Sequence, residues 1–177
     1  SSAYSAAKNG AKVILAEDKL RFGGSLLTDE VTIDNLSGKA WTDKIITELK
    51  EMPNVIIKNR SQVFGYYDHN MTVMSEKTGD HLKDKPKYTP RQRLWYIRAK
   101  EVLLSTGSIE RPIVFGNNDT PGIFLSAAAK EYIKVYGVLV GKKPLIFTNN
   151  DSGYETALEF KKHGVDPIIL DTREEHS

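Results

Sequence analysis

Two adjacent carboxylates, Glu17 and Asp18, follow a strongly apolar run at residues 13–16, and the glycine pair Gly23 and Gly24 comes shortly afterwards. In a dinucleotide-binding βαβ unit, an acid at the end of the second strand accepts hydrogen bonds from the adenosine ribose. Glycines tolerate positive φ angles and let the backbone approach a flat ligand closely. These residues therefore predict a cofactor site; the alternative is that Glu17 is an ordinary solvated acid at a strand end.

A second candidate stretch lies at residues 101–112, where an apolar run at residues 102–104 gives way to the small residues Ser105, Thr106 and Gly107. The run predicts a short strand covered on both faces. The small residues leave room for a flat, phosphate-bearing cofactor beside the backbone. Two interpretations stay open: the turn closes a cofactor site, or it merely ends a strand.

The apolar periodicity of the chain predicts helices that alternate with strands. This order predicts βαβ units at both ends, separated by an antiparallel excursion that begins with a hairpin. In the first strand of that hairpin, Val63 is a candidate backbone contact for an adenine. We expect helices over residues 1–10, 41–52, 126–136 and 154–162, and strands over residues 12–17, 55–57, 61–67, 71–75, 93–98, 102–104, 144–148 and 167–171.

The second βαβ unit carries Asn149, Asn150 and Asp151 where a dinucleotide-binding turn usually has glycines. Asn149, Asp151 and Ser152 are candidate caps for the following helix, and such capping would leave its N-terminus usable for an anion. Asp151, however, would repel a pyrophosphate placed on the same turn. The sequence leaves open whether this unit holds a nucleotide or is a scaffold that binds none.

The composition argues against several other classes of protein. With 25 basic and 23 acidic residues, the net charge of +2 gives no strong attraction to nucleic acid. The lack of cysteine excludes disulfides and thiolate metal sites, and His69 and His81 are isolated, so no metal site is predicted. No apolar run approaches the ~18 residues of a membrane span and no signal peptide is recognisable, so we expect a cytoplasmic protein without a membrane partner.

The chain has no initiator methionine and opens with an alanine-rich segment that predicts the middle of a helix. The glycine-rich pyrophosphate turn expected before such a helix would precede residue 1. We therefore expect an internal fragment with two parts: the C-terminal part of a first dinucleotide-binding domain at residues 1–112, and the start of a second Rossmann-like unit at residues 113–177. A processed small protein is the alternative.

Several runs of residues resemble the α subunit of heterotetrameric sarcosine oxidase, and together they cover essentially the whole chain. The Asn-Asn-Asp turn is the most specific, because most flavin-disulfide-reductase-like proteins keep glycines there. The resemblance implies an α/β fold, a Rossmann-like two-dinucleotide-binding fold of the FAD/NAD(P)-binding type that is incomplete at its N-terminus. The runs are Glu17 with FGGSLL at 22–27, RQRLW at 91–95, IRAK at 97–100, TGSIERP at 106–112, FGNND at 115–119, PG at 121–122 and FTNND at 147–151.

The same resemblance implies cofactors and partners. In this family the α subunit binds NAD, FMN lies at its interface with the β subunit, and the β subunit carries FAD and demethylates sarcosine. γ and δ subunits complete the assembly. A folate-binding domain of the α subunit, without a counterpart in this chain, takes up the one-carbon unit. The implied cofactor-binding positions are Glu17, Asp18, Gly23, Gly24, Val63, Thr106 and Gly107, and no catalytic residue is nominated.

These observations lead to the hypothesis that the chain is the dinucleotide-binding portion of a sarcosine oxidase α-like subunit, an oxidoreductase acting on CH–NH groups. The fragment alone is expected to be inactive, because amine oxidation belongs to a partner chain. One alternative is an electron-transfer subunit of another FAD- or NAD-dependent amine or amino-acid dehydrogenase. The other is a Rossmann scaffold that binds no nucleotide and serves subunit assembly.

Overall fold

The computed structural model describes residues 2–174, which divide into two compact units between Thr106 and Gly107. This division falls inside the stretch at residues 101–112, before the boundary expected at residue 112. Each unit contains two parallel strands joined by a helix, so the predicted α/β class is confirmed. In the first unit the elements are α1 (Ser2–Lys8), β1 (Val13–Ala16), β2 (Thr32–Ile33), β3 (Leu36–Ser37), α2 (Gly38–Glu51), β4 (Val55–Lys58), β5 (Ser61–Tyr67), β6 (Met71–Lys77) and β7 (Gln92–Arg98).

The first βαβ unit pairs β1 with β4 in parallel, from Val13 opposite Val55 to Ala16 opposite Lys58, and α2 makes the crossover. α2 begins at Gly38 rather than at the predicted Trp41, because Ser37 caps it: the Ser37 hydroxyl accepts the Ala40 N–H at 3.3 Å. Leu49 lies fully buried on the inner face of the helix. The strand–helix–strand order therefore brings the carboxyl ends of β1 and β4 to one edge.

An antiparallel sheet of three strands, β5, β6 and β7, follows the first βαβ unit. The predicted hairpin is confirmed, and its turn is tight because His69 and Asn70 both take left-handed φ angles of 57° and 54°. β6 runs to Lys77, slightly further than expected, because β7 pairs with it along its whole length. Residues 78–91, between β6 and β7, form no helix or strand.

Glu76 ties this sheet to the βαβ unit from a position that is largely buried. Its carboxylate accepts from Lys58 Nζ at 2.9 Å and from the Trp95 indole N–H at 2.7 Å. Burial by itself would raise the pKa of Glu76, but the hydrogen bonds from Lys58 and Trp95 outweigh it and hold the pKa below its ordinary value. One ionised side chain on β6 thus joins β4 and β7.

The second unit contains α3 (Ser126–Tyr136), β8 (Leu145–Thr148), α4 (Ser152–Lys162) and β9 (Ile168–Asp171). Gly137 ends α3 in a left-handed conformation, and its N–H donates to the Ile133 carbonyl oxygen, which is the usual way a glycine ends a helix. β8 and β9 pair in parallel, and α4 connects them. The core of the unit is small and apolar, and consists of Ala129, Ile133, Ile146, Ala157 and Phe160.

The strand predicted at residues 102–104 is wrong. Residues 99–125 form no regular helix or strand, and Leu103 and Leu104 are 69% and 65% exposed. An apolar run becomes a buried strand only where a neighbouring strand accepts its hydrogen bonds and a second layer covers it. Within residues 2–174, the parallel sheet of the first unit has only β1 and β4, so residues 102–104 find no such neighbour.

Candidate functional site

Glu17 lies at the carboxyl end of β1, where three segments of backbone meet. Its N–H donates to the Lys58 carbonyl oxygen at 2.8 Å, and its own carbonyl oxygen accepts the Ser61 N–H at 2.8 Å. β5 therefore starts directly beside the end of β1. Because the backbone of Glu17 is held on both sides, its side chain extends from a fixed point at the edge of the parallel pair.

The Glu17 carboxylate is half-buried and only partly satisfied by the protein. One oxygen accepts the Lys19 N–H at 3.1 Å. Burial raises the pKa of Glu17, and a hydrogen bond with the Asp18 carboxyl raises it further. A carboxylate offers about four acceptor positions, so Glu17 keeps capacity for further donors. Added donors would stabilise its charged form against the cost of burial.

The loop that follows Glu17 is anchored to β4 and ends at the glycine pair. The Lys19 carbonyl oxygen accepts the Arg60 N–H at 3.0 Å, and the Leu20 carbonyl oxygen accepts from the Asn59 amide at 2.9 Å. Gly23 has φ 129°, a conformation that other residues rarely adopt. Its α-carbon also lies so close to α2 that an added Cβ would be 3.2 Å from Thr42. Gly24 has φ 53° and open space around it.

A groove of about 770 Å³ opens beside this loop, between α2 and β4. Its lining combines apolar side chains with three cations, Arg21, Lys39 and Lys50, and a single carboxylate, Asp43. None of the three cations makes an ion pair or a side-chain hydrogen bond within residues 2–174. The lining residues are Leu20, Arg21, Phe22, Leu27, Lys39, Thr42, Asp43, Ile46, Thr47, Lys50, Val55, Ile57 and Asn59.

This groove was not predicted, although the sequence contains a signal for it. Lys39, Asp43, Ile46 and Lys50 recur at the spacing that places residues on one face of a helix. Over α2 this face runs ~16 Å from Lys39 to Lys50. The helical wheel could therefore have shown a stripe of mixed charge and apolar character, but not that a loop and a strand would enclose it.

Val63 lies near the Glu17 end of the first unit, two residues beyond the Ser61 N–H that binds the Glu17 carbonyl oxygen. Its side chain is 42% exposed, and the pairing of β5 with β6 shifts by one residue between Val63 and Gly65. Such a bulge frees backbone groups that a regular ladder would occupy. The structure therefore brings Val63 to the same region as Glu17, and its role in adenine contact stays a prediction.

Thr106 and Gly107 are exposed and make no hydrogen bond within residues 2–174. Gly107 has φ 68° with open space around its α-carbon, so the turn needs a glycine for its backbone angle. The two residues stand on either side of the division between the two units. Their assignment to a cofactor site stays a prediction, because the structure places no other site residue in hydrogen-bonding contact with them.

The turn at the start of α4 differs from the expected capping. Asn150, rather than Asn149, Asp151 or Ser152, supplies the cap: its side-chain oxygen accepts the Ser152 N–H at 2.9 Å. Asp151 occupies the N-cap position without a capping hydrogen bond from its side chain. The Thr148 hydroxyl accepts the Asn150 N–H at 3.2 Å and thereby fixes the backbone from which the Asn150 side chain reaches Ser152.

Residues 2–174 contain neither a cluster of acids and histidines suited to a metal ion nor a membrane-spanning helix. No group of three or more histidine, aspartate or glutamate side chains is arranged to hold a metal ion in that part of the chain. No helix described there is both long and apolar enough to cross a membrane.

The fold places the chain in a known structural class. A segment of the crystal structure of L-proline dehydrogenase from P. horikoshii matches 99% of the chain with a TM-score of 0.74 at 24% sequence identity. The match covers 34% of that protein. This chain therefore shares the α/β fold of that segment.

The sequence comparisons then identify relatives of a particular kind. Over 97% of its length the chain is 42% identical to the sarcosine oxidase subunit alpha of Rhizobium meliloti (strain 1021). It is 37% identical to the protein of the same name from Corynebacterium sp. (strain P-1), again over 97% of its length. The predicted resemblance to this family is thus confirmed, and the chain spans 18% of the length of each of these relatives. No protein-family model matches the chain.

Proposed function

We propose that the first compact unit binds a dinucleotide, NAD, at the carboxyl end of β1, as part of an oxidoreductase similar to sarcosine oxidase. The observation that carries this proposal is the half-buried Glu17 carboxylate at the carboxyl end of β1, with acceptor capacity to spare. Ribose hydroxyls are donors of the kind that this carboxylate lacks. The relatives named sarcosine oxidase subunit alpha support the class of enzyme.

The residues around Glu17 fit such a cofactor. Gly23 takes a φ angle that other residues rarely adopt and lies in contact with α2, so the loop passes close to the helix without a side chain in between. Asp18 adds a second carboxyl beside Glu17, and Val63 lies near the same edge with the β5 bulge. Thr106 and Gly107 join this proposal only through the family resemblance.

The charge of the groove supports an anionic ligand. Three cations and one carboxylate line it, which leaves an excess of positive charge beside the Glu17 loop. A dinucleotide carries a pyrophosphate, and Lys and Arg side chains stabilise phosphate charge through hydrogen bonds and Coulomb attraction. The apolar side chains of the lining suit the flat, less polar parts of such a molecule.

In the complete enzyme we propose that this region supports the oxidative demethylation of sarcosine, an N-methyl amine, on other subunits. FMN and FAD would belong to the assembled enzyme, and β, γ and δ subunits and a folate-binding domain would supply the remaining steps. The word "subunit" in the names of the relatives supports a multi-subunit enzyme. An amine or amino-acid dehydrogenase with another substrate and acceptor is the alternative within the same class of enzyme.

A titration with NAD tests the binding proposal. We expect saturable binding to the assembled protein, and we expect Glu17→Ala to weaken it by roughly tenfold to a hundredfold, the range of one or two charge-assisted hydrogen bonds. Glu51→Ala removes an exposed acid outside the groove and is the matched control. Equal affinity in Glu17→Ala and Glu51→Ala, or no binding of NAD at all, would favour the scaffold alternative.

A second experiment separates the two enzyme alternatives. The assembled enzyme is supplied with sarcosine or with L-proline, and the consumption of oxygen and the reduction of an artificial acceptor dye are measured. Sarcosine turnover with oxygen supports the proposed function. Turnover of an amino acid with the dye alone would instead support the dehydrogenase.

A further inference from the structure

Arg173 connects the two positions of the second βαβ unit at which a nucleotide would be recognised. Its guanidinium donates to the Asp171 carboxylate at 2.7 Å through Nη2 and to the Asp151 carboxylate at 2.9 Å through Nη1. Asp171 ends β9, and Asp151 lies in the turn between β8 and α4. One side chain therefore spans from the end of the second strand to the turn after the first strand.

The register of the strands explains why a single arginine can do this. Thr148, the last residue of β8, lies opposite Asp171, so the turn at residues 149–151 and the Asp171 carboxylate share one edge. In a dinucleotide-binding βαβ unit the pyrophosphate lies on this turn and the ribose hydroxyls bind the terminal acid. The Arg173 guanidinium thus lies between the two groups that such a ligand would have to contact.

The turn keeps one feature of a nucleotide-binding unit and has lost the others. Gly153 packs so closely on β8 that an added Cβ would lie 2.6 Å from the Thr148 side chain, which is the role of the last glycine of the fingerprint. The first two glycine positions of the fingerprint are occupied by Thr148 and Asn150. The close packing of helix and strand is retained, whereas the open backbone is not.

Glu17 and Asp171, the acids at the ends of β1 and β9, differ in how many hydrogen bonds their carboxylates accept. Glu17 accepts one backbone N–H, and burial raises its pKa. Asp171 accepts from the Arg173 side chain, from the Arg173 N–H at 3.0 Å and from the Tyr154 hydroxyl at 3.0 Å, and the hydrogen bonds from Arg173 hold its pKa far below the ordinary value. Asp171 is therefore a satisfied acceptor, and Glu17 is not.

We infer that the Arg173 side chain occupies the place that a nucleotide would take in the second βαβ unit. By binding both Asp151 and Asp171 it closes this unit to ligands, so that the chain binds dinucleotide in the first unit alone. Arg173 neutralises Asp151 and Asp171, which would otherwise repel one another across the turn. It also occupies the acceptors that a ribose would use. This inference goes beyond the proposed function, because it concerns a unit to which no ligand has been assigned.

Binding stoichiometry tests the inference on the assembled protein, with NAD as the probe in equilibrium dialysis. We expect one equivalent bound per chain, with an affinity that is roughly tenfold to a hundredfold weaker in Glu17→Ala and unchanged in Asp171→Asn. A second equivalent, or a loss of binding in Asp171→Asn, would overturn the inference. If no NAD binds at all, the proposed function is contradicted instead. Hydrogen exchange then tests separately whether Arg173 closes the second βαβ unit.

Hydrogen exchange measures the closure without any nucleotide. Arg173→Ala should speed the exchange of the backbone amides at residues 149–153 by about fivefold or more, because the turn loses its tether to β9. Arg111→Ala is the matched control, since Arg111 lies in the same unit and makes no ion pair within residues 2–174. Unchanged exchange in Arg173→Ala, or an equal effect of Arg111→Ala, would show that Arg173 does not hold the turn.

Discussion

At the scale of single residues, the two strand-terminal acids show how the same position acquires different chemistry. Glu17 and Asp171 both follow an apolar strand and look alike in the sequence. Glu17 is half-buried with spare acceptor capacity, whereas Asp171 is paired with Arg173. The difference lies in what reaches each carboxylate through space, and it decides which unit is proposed to bind a ligand.

The protonation of Glu17 should make NAD affinity depend on pH. Because burial raises the pKa of Glu17, affinity should fall as pH decreases through that raised pKa, since a protonated carboxyl accepts fewer hydrogen bonds. Glu17→Gln should bind more weakly at neutral pH and show a flatter profile. Isothermal titration calorimetry across a series of pH values measures this, and a parallel profile in wild type and Glu17→Gln would contradict it.

The same pKa shift has a consequence for stability. The native state holds the Glu17 proton more tightly than the unfolded chain, so the ionisation of Glu17 lowers the free energy of unfolding as pH rises from the ordinary glutamate pKa through the raised one. The difference in free energy of unfolding between Glu17→Gln and wild type should therefore grow in favour of Glu17→Gln as pH rises through this range. Urea unfolding at several pH values compares the two proteins.

Gly23 should tolerate no side chain. Gly23→Ala places a Cβ 3.1 Å from Leu27 and 3.2 Å from Thr42 and imposes φ 129° on an alanine, so it should cost about 1–3 kcal/mol of stability. Gly116→Ala is the control, because Gly116 has open space and no positive φ. Chemical denaturation measures both variants, and an equal effect of the two substitutions would contradict the role assigned to Gly23.

At the scale of secondary-structure elements, the charged face of α2 is the feature that the groove depends on. Lys39 and Lys50 line the groove from the two ends of this helix, whereas Lys44 does not line it. Lys50→Gln should weaken NAD binding by roughly threefold to tenfold and reduce its salt dependence, because it removes one attractive charge. Lys44→Gln should change neither quantity; an equal loss in both variants would argue for long-range attraction alone.

The Glu76 cluster joins β4 to the antiparallel sheet and should matter for stability. Glu76→Gln removes the charge that Lys58 and Trp95 bind, at a cost of about 1–3 kcal/mol. Since the pKa of Glu76 is lowered in the folded protein, its contribution is complete above the ordinary glutamate pKa and is lost as pH falls through the lowered one. Acid unfolding of wild type, Glu76→Gln and the control Glu101→Gln measures the difference.

At the scale of the whole molecule, residues 99–125 are the longest stretch without regular structure, and they contain the division between the units. Leu103, Leu104, Ile109 and Val114 are all mostly exposed there. Limited proteolysis should therefore cleave this stretch first, because its backbone has few internal hydrogen bonds. First cleavage elsewhere within residues 2–174 would contradict this prediction.

The amino-acid sequence by itself determined the local elements and the order in which they follow. Apolar periodicity and punctuating residues predicted the helix at Ser126–Tyr136 and the individual strands of both parallel pairs, because periodicity involves only neighbours a few residues away. The sequence also carried the resemblance to sarcosine oxidase α subunits. Glu17, Gly23 and Gly24 could be predicted as candidate cofactor residues because their chemistry and spacing are local.

Features that depend on contacts between distant residues were decided only by the tertiary structure. The run at residues 102–104 has the composition of a buried strand but no strand beside it, so composition alone gave the wrong prediction. Asn150 caps α4 because Thr148 holds its N–H, and Arg173 reaches Asp151 because β8 and β9 lie in register. Burial, pairing and closure follow from contacts between residues far apart in the chain, and a single sequence does not contain those distances.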